Sequence, residues 1–248
     1  MTDDLASTPL PSDLVGLLEG ITTTRAIRRY RDEPVPDDVL RAILFAATRA
    51  PSGSNRQPFR FVVLRDGPKA RQAKELIATS AQRVWGSKRE TDDYDRGSGR
   101  TDNSPKARMA RTMSEYVEHF AGVPVLILPC LVRYRPPNEM EGASIYPACQ
   151  NLLLAARALG YGGVLTGFHY AVIDELRELL GIPEGVFMAA TITIGRPVGK
   201  HGPVRRRPIA ELVFDDEWDA PAPWALDPPG TAFTQAGPPG TWSPKATS

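Results

Sequence analysis

At 248 residues with 42% hydrophobic content, the chain is long enough for one large domain or two small ones around a substantial core. Lys plus Arg total 30 against 29 for Asp plus Glu, a formal net charge of +1, so no broad field draws it to nucleic acid or to an anionic membrane surface. Two cysteines, Cys130 and Cys149, lack CxxC spacing; they support neither a zinc site nor a disulfide framework and read as small buried hydrophobes.

The opening "MTDDLASTPLPSD" is acidic and has no apolar core of signal-peptide length, which predicts a cytoplasmic protein. "SDLVGLLEGI" predicts a first helix, capped by Ser12 or Asp13, with Leu14, Val15, Leu17, Leu18 and Ile21 as its apolar stripe. Next comes "TTTRAIRRYRDEPVP", with Arg25, Arg28, Arg29 and Arg31 close together. "PDDVLRAILFAATRAP" predicts a helix with acids in its first turn and Pro51 as its stop. After the turn-rich "PSGSNRQP", the β-branched "FRFVVLRDG" predicts a strand.

Residues 69–120 are helical in propensity but interrupted by "RGSGRTDNSP", a candidate lid. "VPVLILPCLV" is too short for a membrane span and carries two prolines, so it reads as a buried strand. "SIYPACQNLLLAARALG" predicts a long helix ended by Gly160, "GGVLTGF" a short strand and turn, "VIDELRELLG" a helix, and "GVFMAATITIG" a further strand. Helices and strands alternate, so the class is α/β or α+β. From Asp215 onward the chain is rich in Pro and Gly without periodicity, although Trp218, Trp224 and Trp242 argue for anchoring rather than pure disorder.

Four stretches bear on chemistry. Arg25 and Arg28 are three apart, so a helical turn would aim both at one anion, as guanidinium forks do for phosphate; a solvated basic face is the plainer alternative. "APSGSNRQPF" combines a tight turn with free N–H groups and two side-chain amides, a surface for a planar heterocycle or an ordinary connection. "GYGGVLTGF" lets the backbone approach a flat ligand or a packed neighbour closely, and its spacing is not GxGxxG. "RRRP" at Arg205 to Pro208 is a second basic knot. His119, His169 and His201 have no ligand spacing, and neither GxSxG, HExxH nor a carboxylate pair is present. No side chain stands out as a catalytic acid, base or nucleophile and no metal set is predicted, so reactive chemistry would come from a cofactor.

"TRAIRRYRDEPVPDDVLRAILFAATRAPSGSNRQPFRFVVLRD", "SIYPACQNLLLAARALGYGGVLT", "LLGIPEGVFMAATITIGRP" and "RRRPIAELV" together resemble, in order and spacing, the nitroreductase family of flavoproteins. The resemblance spans about residues 26–213 apart from 69–120. It implies an α+β fold with a central, mainly antiparallel sheet flanked by helices, in an intertwined homodimer holding FMN at the subunit interface. By this resemblance residues 1–214 form the FMN-binding domain, with 69–120 as its lid, and 215–248 a C-terminal extension. Arg25 and Arg28 fall on positions that grip the FMN phosphate and the pyrimidine side of the flavin, with Ala26 between them where the family often has Ser. Thr24 stands at the first of the family's paired arginines, and Phe59 where Trp is usual. Ser52, Gly53 and Asn55 match the loop that reaches the flavin from the partner subunit. Thr166 and Gly167 match the turn near the reactive N5, and Arg205 or Arg206 the basic residue that returns to the phosphate.

The implied activity is FMN-dependent NAD(P)H oxidoreduction of a flat electrophile such as a nitroaromatic or quinone, with NADH or NADPH as donor and ping-pong transfer through N5. A flavin-binding or storage protein without turnover, and a same-fold dehalogenase or flavin-destructase, are the alternatives.

Overall fold

A computed structural model describes residues 8–96 and 103–234. They fall into two compact units dividing between His201 and Gly202, upstream of the boundary after residue 214 that the resemblance implies.

In the first unit the strands are β1 (Phe59–Leu64), β2 (Val125–Val132), β3 (Gly162–Thr166), β4 (Val186–Met188) and β5 (Thr191–Gly195). They form an open sheet ordered β1-β2-β5-β3, with β4 also on β2, and every pairing is antiparallel. The helices are α1 (Leu17–Thr23), α2 (Asp37–Ala47), α3 (Pro68–Thr91), α4 (Pro105–Glu118), α5 (Gly142–Ala158) and α6 (Ile173–Leu180).

The central strand explains the continuous apolar run of β2, because both faces of the sheet are covered. Val125, Ile127 and Leu131 point into a core shared with α2 and α5. Leu126, Leu128 and Cys130 point into another shared with α3, α4 and α6. Cys130 and Cys149 lie in different cores, both free and buried, as small hydrophobes would.

Pro129 leaves a mark on the sheet. It has no N–H to donate to the neighbouring strand. The register shifts there: Ile127 faces Ile192 but Cys130 faces Met188, so the strand opposite carries one extra residue at Ala189–Ala190. That is a β-bulge. It turns the Ala189 N–H onto the Pro129 carbonyl at 2.8 Å, which uses the acceptor of Pro129 where a donor is missing.

Helix α5 closes where Gly160 predicts, and α2 opens on its predicted acids but ends at Ala47, before the predicted Pro51 stop. Asp37 and Asp38 open α2. At the end of α5, Gly160 takes φ 79°, and Gly160 N and Tyr161 N bond to the carbonyls of Arg157 and Ala156 at 3.1 and 2.8 Å, a Schellman closure. Helix α3 buries Lys74, whose Nζ donates to the Val123 carbonyl at 2.7 Å and so covers the entry to β2. Helices α3 and α4 occupy most of the expected lid; residues 97–102 of its interruption lie outside the described residues.

Helix α1 differs from expectation. It starts after Gly16 rather than at a Ser12 or Asp13 cap, and its apolar stripe faces water: Leu14, Leu17 and Leu18 are each at least 70% exposed. Periodicity identified the helix but not what would cover it.

The chain just after α1 runs extended beside the sheet. Ile27 N bonds to the Gly163 carbonyl at 3.0 Å, and residues 29–31 pair with 196–198 through Val198 N to the Arg29 carbonyl at 3.1 Å and Arg31 N to the Arg196 carbonyl at 2.9 Å. The approach of Ile27 needs Gly162, and the close pairing of β3 with β5 needs Gly163. A Cβ on Gly162 would strike Ile27 and His201, and one on Gly163 would strike the Thr193 carbonyl. Gly163→Ala is therefore expected to cost about 1–3 kcal/mol through overpacking, read as a lower urea midpoint with unchanged slope; wild-type stability would contradict the packing account.

Candidate active site

Because residues 24–29 are not helical, Arg25 and Arg28 are not aimed by one helical turn, contrary to the spacing argument. The hydrogen bonds to Gly163 and to residues 196–198 hold this segment extended, and in extended chain residues three apart leave opposite sides. Ile27 is buried against β3, Arg25 and Ala26 are exposed, and Arg28 is half-buried.

Arg28 lines a cavity of about 430 Å³ together with Tyr30, Tyr116, His119 and Pro124, and with the acids Asp32, Glu115 and Glu118 in the same wall. Tyr30 and Tyr116 are held by a shared partner: their hydroxyls lie 2.8 and 2.9 Å from Thr193 Oγ1. Burial lowers the Arg28 guanidinium from its usual pKa, Tyr116 and Tyr30 partly offset this, and Arg25 lowers it further. Its Nε is buried without a hydrogen-bond partner. Among the described residues no carboxylate pairs with Arg25 or Arg28, whereas Arg29 meets Glu115 at 2.5 Å. The arginine cluster thus separates into a surface ion pair and a desolvated cation that no carboxylate pairs with directly.

The loop bearing Ser52, Gly53 and Asn55 is strained. Ser54, Asn55 and Gln57 have φ of 53°, 51° and 49°, a region that non-glycine residues occupy rarely and that concentrates at ligand-contacting sites. The loop is held by Gln57 N to Ser52 Oγ at 2.9 Å and Gly53 N to Ser144 Oγ at 3.2 Å. It sits at the end of β2, where Val132 N bonds to the Pro58 carbonyl at 2.8 Å. The Arg28 cavity lies at the other end, beside Val123 and Pro124. Eight residues of strand, roughly 25 Å at ~3.3 Å each, separate them. Among the described residues no hydrogen bond or ion pair joins the loop to Arg25 or Arg28.

Thr166 and Gly167 end β3, three to four residues from Gly163 and hence roughly 10–13 Å from the Ile27 contact along the same strand. Thr166 Oγ1 and Thr191 Oγ1 are 2.5 Å apart. The glycines of "GYGGVLTG" are accounted for by packing: Leu14 approaches Gly160, Ile27 and Thr193 fill the space at Gly162 and Gly163, and the ring of Tyr170 lies on Gly167. Of the two readings of that turn, the protein itself occupies the space that the missing side chains leave. Tyr146 and Tyr170, which no local pattern singles out, border the turn; their hydroxyls reach the Ala189 carbonyl at 3.3 and 3.4 Å.

Arg205 and Arg206 belong to the second unit and are exposed. Within it Arg206 bridges Phe233, while Arg207 is taken by Glu211 at 2.6 Å. Of the three arginines in the knot, Arg207 alone has a carboxylate partner among the described residues. Trp218 and Trp224 are largely exposed, and Trp224 Nε1 donates to Asp215 at 3.2 Å; Trp242 lies outside the described residues. Among the described residues no His, Cys, Asp and Glu group could hold a metal ion, and no helix is long and apolar enough to cross a membrane.

The chain matches the Nitroreductase family model over residues 21–196. It is 32% identical over 182 residues to a candidate NADH dehydrogenase/NAD(P)H nitroreductase of Archaeoglobus fulgidus, covering 73% of this chain and 84% of that one. It is 27% identical over 209 residues to an NADH dehydrogenase of Thermus thermophilus, covering 77% and 91%. Among solved structures, a candidate nitroreductase from Desulfovibrio desulfuricans in complex with FMN matches with a TM-score of 0.58 at 30% identity, over 82% of this chain and 98% of that one.

His169, next to this turn, is fully buried, with Nε2 2.9 Å from the Met188 carbonyl and Nδ1 without a partner. Burial holds its pKa below 6.5, partly offset by the Met188 carbonyl; His201 is lowered in the same way, with Arg157 and Arg25 adding to it. Both depressed values mean that the unfolded chain binds more protons as pH falls through about 6.5, so stability is full above that pH and declines below it. Melting temperatures between pH 7.5 and 5 should show this decline, with a flatter slope for His169→Gln; an unchanged slope in that variant would refute the assignment.

Proposed function

The chain belongs to the nitroreductase family, and we propose that it is an FMN-dependent NAD(P)H oxidoreductase working as a homodimer, with FMN at the subunit interface. The observation that carries this reading is Arg28, a desolvated guanidinium that no carboxylate pairs with directly among the described residues, beside β3, whose end leads into the Thr166–Gly167 turn.

The residues present suit FMN. Arg28 and Arg25 supply cations for its phosphate or for the pyrimidine side of the ring. Ala26 offers its main-chain N–H where a hydroxyl is absent. Gly167 N–H and Thr166 border the reactive edge. Ser52, Gly53 and Asn55 supply donors from a loop whose strained backbone is already set. Since that loop lies a β2 length from Arg28, its contribution comes from a second copy of the chain. The water-facing leucines of α1 are apolar surface available to such a partner.

When bound, FMN supplies a two-electron carrier that no side chain of this protein can replace. The protein's work is to bind and orient. Arg28 places positive charge where the reduced ring gains negative charge, which favours reduction electrostatically. The nicotinamide and then a flat electrophile, such as a quinone or nitroaromatic, occupy one stacking position in turn, so each must be planar.

Purified protein should be yellow and should bleach anaerobically with NADH or NADPH; a colourless protein that takes up no FMN would defeat the reading, and a yellow one that neither nucleotide bleaches would favour storage over turnover. Arg28→Ala is expected to weaken FMN binding roughly ten- to a hundredfold, the loss of a charged hydrogen-bond donor, and to lower the flavin potential. Fluorescence titration with FMN and anaerobic redox titration measure both, and wild-type values would remove Arg28 from the site.

A further inference from the structure

The bulge opposite Pro129 has a second result. Among the described residues no backbone N–H reaches the Ala189 carbonyl, and two phenols converge on it instead: Tyr146 at 3.3 Å and Tyr170 at 3.4 Å. Both distances exceed the ~2.7–2.8 Å usual for hydroxyl donors, so neither O–H is held strongly where it is.

The rings, by contrast, are fixed. Tyr146 lies on Gly142 and Tyr170 on Gly167, each so close that a Cβ on the glycine would come within 2.9 Å of the ring. Tyr170 also rests on His169 at 4.2 Å between ring centroids, and His169 is pinned by the Met188 carbonyl. Tyr146 is set in the first turns of α5, ahead of Pro147, which cannot donate to the carbonyl of Ala143. The two rings remain 41% and 54% exposed. The arrangement is two rigid, water-accessible aromatic walls with loosely engaged donors, starting three residues beyond Gly167.

We propose that Tyr146 and Tyr170 form a two-donor site for the carbonyl or nitro oxygens of the flat electron-accepting substrate. This rests on the functional reading above, which places that substrate at the Thr166–Gly167 turn. A substrate oxygen takes the phenol protons from long, weak bonds into shorter ones, while Ala189 keeps access to whichever phenol is left. A hydrocarbon of the same outline offers no acceptor and gains nothing. Burial and the neighbouring Tyr170 raise the pKa of Tyr146, which keeps it a donor at neutral pH.

Direct binding tests this without turnover. The oxidised protein with its FMN is titrated with 1,4-naphthoquinone and, separately, with naphthalene, with no nicotinamide present, by calorimetry and by the flavin absorbance change. Tyr146→Phe and Tyr170→Phe should each weaken naphthoquinone binding about fivefold, one neutral hydrogen bond apiece, and leave naphthalene binding and flavin content unchanged. Wild-type affinity for naphthoquinone in both variants would overturn the proposal. So would equal weakening for naphthoquinone and naphthalene, which would make the rings a wall and nothing more. A wild-type protein without flavin would instead defeat the functional reading and this inference with it.

Discussion

The structure around the site depends on one apposition: residues 27–31 lying against Gly163 and residues 196–198. Three backbone hydrogen bonds of 2.9–3.1 Å set it, and the close approach of Ile27 to β3 is possible because Gly162 presents no side chain to it. From this, much else follows. The arginine segment is extended rather than helical, Ile27 turns inward, and Arg28 leaves on the side of the sheet where Tyr30 and Tyr116 share Thr193. A bulkier edge strand would move the segment away and take Arg28 out of its cavity.

Much of the frame was legible in the sequence because it rests on local signals. The acids of α2, the Schellman glycine at the end of α5 and the apolar run of β2 each have a nearest-neighbour cause. What failed to show had a distant cause. The stripe of α1 was visible as a period, but covering it needs a surface that the described residues do not supply. The three-residue spacing of Arg25 and Arg28 suggested a helical pair, and pairing with residues well over a hundred positions away decided otherwise. The glycine turn suggested ligand access, and its free space is taken by Ile27, Thr193 and Tyr170, none of which lies within the turn. Tyr146 and Tyr170 are 24 positions apart and carry no shared pattern; the bulge that brings them together follows from Pro129, which the sequence shows only as a proline in a strand.

The division of candidate residues between the ends of β2 is a property of the fold rather than a defect in the resemblance. The loop from Ser52 to Gln57 is fastened to Ser144 and, through Pro58, to Val132. Arg28 is fastened at the opposite end. A rigid eight-residue strand cannot shorten, so one ligand can touch both only if the loop comes from another copy. The positive φ angles of that loop add to the argument. Strain of this kind is kept where the conformation is needed by something outside the loop, and within one chain the hydrogen bonds to Ser52 and Ser144 hold the loop without explaining it.

Arg28 connects stability with binding. Drawing a cation out of water without a direct ion-pair partner is unfavourable, and the phenols of Tyr116 and Tyr30 offset it only in part. Arg29, the next residue in the chain but at the surface with Glu115, bears no such penalty, and an exposed pair of that kind contributes little. An anion that enters the Arg28 cavity removes the penalty in the folded state alone, so its binding free energy adds to the stability of the fold. Under the proposed reading, the residue that makes the free protein less stable than it could be would be the one that gives an anionic cofactor its advantage over water.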